Sequence, residues 1–442
     1  MEAEKLGLPT VLLISTPFTG LARNQARVLG LPSLPMVVLD HPIAGIALDK
    51  VLARVDAALD EIVAKLTTAL PLPDVAAITS NRLRSERVEI DLTDAWSALQ
   101  DDFVRRGWSD GLPLVPPTEA RVAAMVGGSG TRGEQVIGEV APKMGVATVE
   151  AIAVNAVMAG CLPEHMPVLV AAVQAMTDPL FNLKTIQATT HPVAPLLIVS
   201  GPLAQRLNIN GGSGLFGPGP WSNGVIGRAI RLMLLNIGGG RPGEIDKATM
   251  GQPGKYSYCI AENEAASPWP SLRAERGFAP EVSTVTVLDA EAPHNVNDHE
   301  STTAGGLLTT IAGAMAQTGQ NNVYYAGEPL LLLSPEHAAT IAGDGFSKDD
   351  VKRSLYEDAR IPMSRFSREN IERRLWRFLP RRYLNRPADT GVTVAQCWED
   401  IMVIVAGGPG KHSMVVPTCA GSRSVTKPIL KPDGRPWLPS DF

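Results

Sequence analysis

Cysteine is scarce and dispersed. Cys161, Cys259, Cys397 and Cys419 are the four in the chain, and no two form a CxxC. That spacing argues against a disulfide framework and a structural zinc site, and each thiol reads first as a small buried hydrophobe. An excess of one charge is missing too: 40 basic against 45 acidic side chains leave a net of −5, so no global field draws the protein to nucleic acid or to an anionic membrane. Long apolar runs are absent. The longest, Ala151 to Met176, is broken by Pro163-Glu164-His165 and by Pro167, which excludes it as a membrane span. The N-terminus carries Glu2 and Glu4 where a signal peptide needs basic residues, and Thr10 to Ile14 is too short for its apolar segment. The expectation is a soluble, cytoplasmic protein with a small-molecule substrate and no nucleic-acid or membrane partner, assembling as a homo-oligomer.

What is there is ordinary globular material, 45% hydrophobic and 19% charged, in a chain of 442 residues long enough for two domains. Val11 to Ile14 reads as a buried strand; Thr16-Pro17 then supplies an N-cap and a proline at N1 for a helix over Phe18 to Leu29, which Gly30 stops. Pro35 to Leu39 is a second apolar strand and Leu48 to Leu70 a long amphipathic helix. This is the grammar of a parallel sheet covered by helices. The proline-bearing stretch from Pro71 to about residue 90 reads as a linker, and residues 91–442 as a larger α/β domain. Pro195 to Val199, Pro329 to Leu333 and Ile401 to Val405 are three similar apolar strands, which predict a layered α/β (α+β) domain built of three pseudo-repeated units. The expected fold class is therefore α/β, a small partial parallel-sheet module at 1–70 followed by a larger layered domain.

The N-terminal residues Glu4-Lys5-Leu6-Gly7-Leu8-Pro9-Thr10-Val11, Thr16-Pro17-Phe18, Leu21-Ala22-Arg23, Gln25-Ala26, Val28-Leu29-Gly30-Leu31-Pro32 and His41-Pro42-Ile43 resemble the UGSC-type bacterial (seleno)protein family. That family is in turn similar to the selenoprotein subunits of glycine, betaine and proline reductases. The resemblance implies a selenocysteine or cysteine, then Gly, Ser or Thr, then Cys, one helix upstream of Glu4. Glu2 to Leu6 reads as the end of that helix, and the redox loop is not among these residues. Three explanations stand open: a start placed too late, as a UGA codon read as a stop would cause; a module that lost its loop; or a partner subunit that supplies it. Gly107 to Pro113, Asn155 to Cys161, Gln187 to Pro192, Asn210 to Gly219, Pro253 to Tyr256 and Ala292 to Asn297 resemble the larger region that accompanies this module.

Several constellations are able to carry chemistry. Cys161 lies between two helices, where backbone N–H groups would lower its pKa and His165 would serve as base; the alternative is a packed thiol. Lys255 to Glu264 alternates like a strand, with Lys255 and Cys259 on one face and Tyr256 on the other. The segment Asn208 to Gly224 is dense in glycine, so Asn210, Gly211, Gly212 and Ser213 offer an anion-binding loop. Trp221 would form its wall, Ser222 or Asn223 would cap the following helix, and Arg228 would add charge. It matches neither a Walker A nor a GxGxxG pattern. Histidine numbers only seven; His294 and His299, with Asn295 and Asn297 between them and His191 elsewhere, suit acid–base work or substrate binding better than a metal. No metal site is expected and the cofactor stays unassigned. Arg365 to Arg386 holds eight arginines and reads as a solvated helix or a subunit interface.

Three functional readings follow. The first is a reductase-type enzyme, or its subunit, acting on a small anionic substrate with the thiol or selenol supplied from outside these residues. The second is a non-redox lyase or hydrolase working through Cys161 or the His294/His299 cluster. The third is a non-catalytic scaffold.

Overall fold

The structure, a computed structural model, describes residues 8–43, 46–67, 86, 94–419 and 421–442. The helix end read at Glu2 to Leu6 and, save Glu86, the linker at 71–90 lie outside the described residues. The fold is α/β, as the strand and helix patterns predict. Strand β1 (Leu12–Ser15) pairs in parallel with β2 (Met36–Leu39), and the helix Thr19–Val28 joins them. The helix expected from Leu48 onward is two, Leu48–Ala57 and Leu59–Thr67, and neither buries a side chain. This small module rests on the larger body through Gln25, whose buried Nε2 donates to the Pro142 carbonyl at 2.6 Å, with Asn24 donating to the same oxygen at 3.3 Å.

The larger body carries a hairpin of β3 (Val136–Val140) and β4 (Gly145–Thr148) and two four-stranded sheets. One sheet is made from β5 (Ala194–Ser200), β6 (Cys259–Ala261), β7 (Thr284–Ala290) and β14 (Val425–Pro428), in the order β14-β7-β5-β6. The other is made from β8 (His294–Asn297), β9 (Leu330–Leu333), β12 (Met402–Val405) and β13 (His412–Val416), in the order β8-β13-β9-β12. A short ladder of β10 (Arg360–Pro362) and β11 (Gly391–Thr393) completes the strands among the described residues.

Side-chain parity explains the layering. Every residue of β5 is buried, because its two faces meet different neighbours. Leu197 and Val199 pack with Cys259, Val285 and Val287 against the helices Val149–Ala159, Met166–Met176 and Trp221–Asn236. Leu196 and Ile198 point the other way, into a cluster with Leu288, Leu330, Leu332, Met402 and Ile404. The second sheet repeats the arrangement: Leu331, Leu333, Val403 and Val405 face the helices Ala304–Met315, Pro335–Gly343 and Lys348–Asp358. The result is helices, sheet, sheet, helices, with unbroken apolar strands because both sheet faces are buried.

The two sheets have the same strand directions, with β5 and β6 parallel and β7 and β14 each antiparallel to its neighbour, just as β9 and β12 are parallel and β13 and β8 alternate. Yet β8 follows β7 in the chain and β14 follows β13, so each half gives its last strand to the other sheet. The exchanged connections meet where Ala290 bridges Thr418 and the Glu291 N–H donates to the Pro417 carbonyl at 2.8 Å. A serine near the start of each third strand takes a backbone N–H from the exit of the first strand: the Leu203 N–H donates to Ser283 Oγ at 3.0 Å and the Ser334 N–H to Ser413 Oγ at 3.1 Å. There are thus two units where three were expected. The strand at Ile401 to Val405 is the counterpart of β6, not a third copy of β5. Among the described residues no helix is long and apolar enough to cross a membrane.

Replacing Gln25 with Leu leaves the Pro142 carbonyl one buried donor short, which costs the docking of the module about 1 kcal/mol. Hydrogen exchange across the helix Thr19–Val28 is expected to rise about fivefold while β5 and β9 stay protected; equal exchange in the variant would remove Gln25 from that contact.

Candidate functional site

The glycine-rich segment leaves β5 through the helix Pro202–Arg206 and is fastened at its start by Asn223. The buried Asn223 side chain accepts from the Asn210 N–H at 2.7 Å and donates to the carbonyls of Asn210 at 3.0 Å and Cys259 at 3.1 Å. Asn223 and Ser222 are therefore not caps: the helix starts at Trp221, one residue after Pro220, and both side chains turn inward. Asn210 Oδ1 takes the Gly212 N–H at 2.9 Å and the Gly214 carbonyl takes that of Gly217 at 2.8 Å, so two of the loop's donors are spent inside it. Phe216 anchors the loop on Tyr258, with ring centroids 5.6 Å apart.

The loop crosses to the other half of the molecule and lies on the glycine turn after β12. The Gly407 N–H donates to the Gly211 carbonyl at 2.8 Å, and a Cβ on Gly408 would sit 1.7 Å from Ser213 Oγ, so only glycine fits there. Between the two turns is a cavity of about 280 Å³ walled by Gly214 to Gly217, Leu332, Ala406, Gly407 and the residues His412 to Met414. It lies at the carboxyl ends of β9 and β12, where open α/β sheets hold their ligands.

His412 gives the cavity its chemistry. Its Nδ1 bonds Asn295 Oδ1 at 3.1 Å and its Nε2 lies 3.2 Å from His299 Nε2. A His412 Nδ1–H donated to Asn295 Oδ1 would leave the Nε2 lone pair to receive the His299 Nε2–H. Both imidazoles are exposed. Lys411 Nζ donates to the His299 carbonyl at 2.8 Å, which places a cation beside the pair. Behind them His337 is buried, with Nε2 3.0 Å from the Asp298 carbonyl and Nδ1 2.8 Å from Ser413 Oγ. Burial acts to raise the Asp298 carboxyl, but hydrogen bonds from Thr310, Ser301 and Glu300 outweigh it and hold the group well below the usual carboxylate range. Together these bonds pin the turn that bears His299.

The other candidates are placed elsewhere. Cys161 is buried and donates to the Val225 carbonyl at 3.3 Å; burial, with Cys259 nearby, pushes its thiol far up rather than down. His165 is pulled down to about 4 by burial, its Nδ1 accepting the Leu162 N–H at 3.1 Å and its Nε2 lying 3.3 Å from Ser222 Oγ. Cysteine and histidine thus serve different partners. Burial likewise pushes the Cys259 thiol up to about 12. Lys255 ends a 3-10 turn and pairs with Asp246 at 2.6 Å, so it shares no strand face with Cys259; burial pulls its ammonium down even there. Arg228 is 2.8 Å from Asp110 and donates to the carbonyls of Leu112 and Pro113, clamping the Gly107 to Pro117 loop instead of adding charge to the glycine segment. Trp221 and Tyr256 are exposed, and Asn297 pairs with His412 across β8 and β13. In the arginine-rich stretch, Arg374 stacks on Tyr325 at 5.2 Å and Arg382 bonds the Gln396 carbonyl.

His191 does not join the other histidines. It sits before β5, at the opposite end of the sandwich, with Nε2 2.9 Å from Glu291 Oε1. There the strand exchange gathers a second polar cluster: Asn321 Nδ2 lies 3.6 Å from Cys419 Sγ, and the Cys419 N–H donates to Asp289 Oδ2 at 2.9 Å. Burial pushes Asp289 up to about 7, and burial with Asp289 beside it pushes the Cys419 thiol up to about 11. His294 opens β8 on an exposed edge, a strand length from His299. Among the described residues no three His, Cys, Asp or Glu side chains are grouped to hold a metal ion. Two histidines of this candidate site escaped the sequence reading, His412 and His337. Lys411-His412-Ser413 follows Gly407-Gly408-Pro409-Gly410, a glycine turn at a strand end that was itself a usable signal.

Two measurements follow. Iodoacetamide on the native chain is expected to label the exposed Cys397 first and to reach Cys161 and Cys259 only after denaturation; native labelling of Cys161 as fast as Cys397 would restore it as a nucleophile. Asp289 holds its proton in the folded chain up to about pH 7 but in the unfolded chain only to its ordinary value of 3.8, so its contribution to stability falls as pH rises between the two. Urea midpoints at pH 5 and pH 7.5 are expected to differ less in Asp289→Asn than in the parent, and equal differences would refute the assignment.

Neither the curated proteins nor the solved structures hold a match to this chain. Residues 1–68 match the model of the UGSC family, and the N-terminal module of this protein is a UGSC-type module.

Proposed function

We propose that the protein is a reductase-type enzyme, or the substrate-holding part of one, acting on a small anionic molecule bound between the two glycine turns. The observation that carries this reading is His412, which lines the cavity and is held between Asn295 and His299. A polarised imidazole pair at the wall of a small cleft is equipped to deliver and recover protons. Lys411 favours an anion, and Leu215, Phe216, Leu332 and Met414 receive its apolar part.

The UGSC-type module supports thiol or selenol chemistry as the electron source. In that reaction a dithiol or thiol–selenol pair loses two protons and two electrons to form its disulfide or selenenyl sulfide, and the substrate takes them up as its C–N bond breaks to a C–H and an N–H, with His299 and His412 passing the protons. None of the four cysteines of this chain is placed in the cleft, so the pair is a co-reactant supplied to it.

The test is dithiol consumption by the full chain with glycine, betaine, proline and other small carboxylates, followed by His412→Asn. The expected result is substrate-dependent oxidation that falls at least about a hundredfold in the variant. Turnover of a substrate with no thiol consumed would replace the redox step by a lyase or hydrolase at the same histidines, and turnover unaffected by His412→Asn would overturn the site.

A further inference from the structure

The UGSC-type module carries a larger cavity than the glycine cleft, about 560 Å³, and its walls divide sharply by chemistry. Arg23, Arg27 and Lys65 supply its polar side; Leu34, Pro35 and Met36 supply its apolar floor. Arg23 and Arg27 stand one turn apart on the helix Thr19–Val28, both exposed, and among the described residues neither has a carboxylate partner. Arg27 Nη2 bonds the neutral Asn24 Oδ1 at 3.2 Å. Like charges at this spacing destabilise a helix unless an anion lies between them. Lys65 reaches in from the helix Leu59–Thr67, where Nζ donates to the Met36 carbonyl at 2.6 Å and pairs with Glu61 at 2.6 Å. Counting Glu61, the cavity holds an excess of two positive charges, the complement of a phosphomonoester, which carries about −1.5 to −2 at neutral pH.

Two guanidiniums side by side favour an oxyanion they can grip by paired N–H groups. The volume is many times the roughly 30 Å³ a water occupies, which leaves room for more than a bare phosphate, and the Leu34, Pro35 and Met36 floor offers apolar contact to the remainder. We propose that this cavity binds a small organic phosphate, with the phosphate between Arg23, Arg27 and Lys65 and the organic group on Leu34 and Met36. It is separate from the glycine cleft, whose lining residues all lie beyond residue 213.

The test is calorimetric titration of the full chain with phenyl phosphate and with inorganic phosphate. One equivalent of phenyl phosphate is expected to bind, more tightly than inorganic phosphate, and Arg23→Gln/Arg27→Gln is expected to weaken it at least tenfold with an unchanged circular dichroism spectrum. Ser33→Glu, which adds an acid at the rim and leaves both arginines in place, is expected to weaken binding as well, while His412→Asn is expected to leave it unaltered. Absence of saturable binding, or binding equal in the parent and the double variant, would overturn the proposal. Binding abolished by His412→Asn would do so too, by moving the phosphate to the glycine cleft.

Discussion

The larger body depends on burying both faces of both sheets at once. A strand such as Ala194–Ser200 cannot be satisfied by one layer of helices, because Leu196 and Ile198 would face water while Leu197 and Val199 were covered. Stacking a second sheet against the first resolves this, and the second sheet then needs its own helices. The strand exchange ties the halves together: β8 and β14 each complete the other unit's sheet, so neither unit keeps all its backbone partners without the other. Folding of the body is accordingly expected to be one cooperative event.

That constraint also distributes the polar groups. At one end of the sandwich the exchanged connections cross and gather Asp289, Glu291, His191 and Cys419 in a largely buried cluster, where low solvation pushes Asp289 toward neutrality. At the other end the strands stop short, and two glycine turns from different halves close over the gap. Gly408 and Gly211 allow a backbone approach that any larger residue at position 408 would block. The cleft that results is small, apolar on one side and histidine-lined on the other, and it draws on both halves of the chain. A site of this kind is available only to the assembled pair of units.

The N-terminal module is built on a different scale. Its core of Ala26, Leu31 and Leu34 is slight, and its last two helices bury no side chain among the described residues. Two strands and a few apolar contacts seldom stand alone. The module instead leans on the body through Gln25 and Asn24, and its exposed guanidiniums face a cavity of their own. Its docking is thus separable from the stability of the larger body.

Legible in the sequence alone were the class of the fold, the strands with unbroken apolar runs, several of the helices and the UGSC-type character of residues 1–68. Those features are local: Thr148 accepts the Ala151 N–H and Gly160 stops the same helix with φ +92°, so eleven residues suffice to define it. The sequence also marked Asn295, His299 and the Asn210 to Gly219 loop, whose composition is unusual wherever it lies. Packing settled which marked residues meet. Asn295 and His299 meet His412 because β8 was given to the other half's sheet, a long-range pairing no spacing reveals. Cys161, Lys255 and Arg228 were drawn away because a buried thiol finds a carbonyl and a buried charge finds its counter-ion, and those partners, Val225, Asp246 and Asp110, are set by packing.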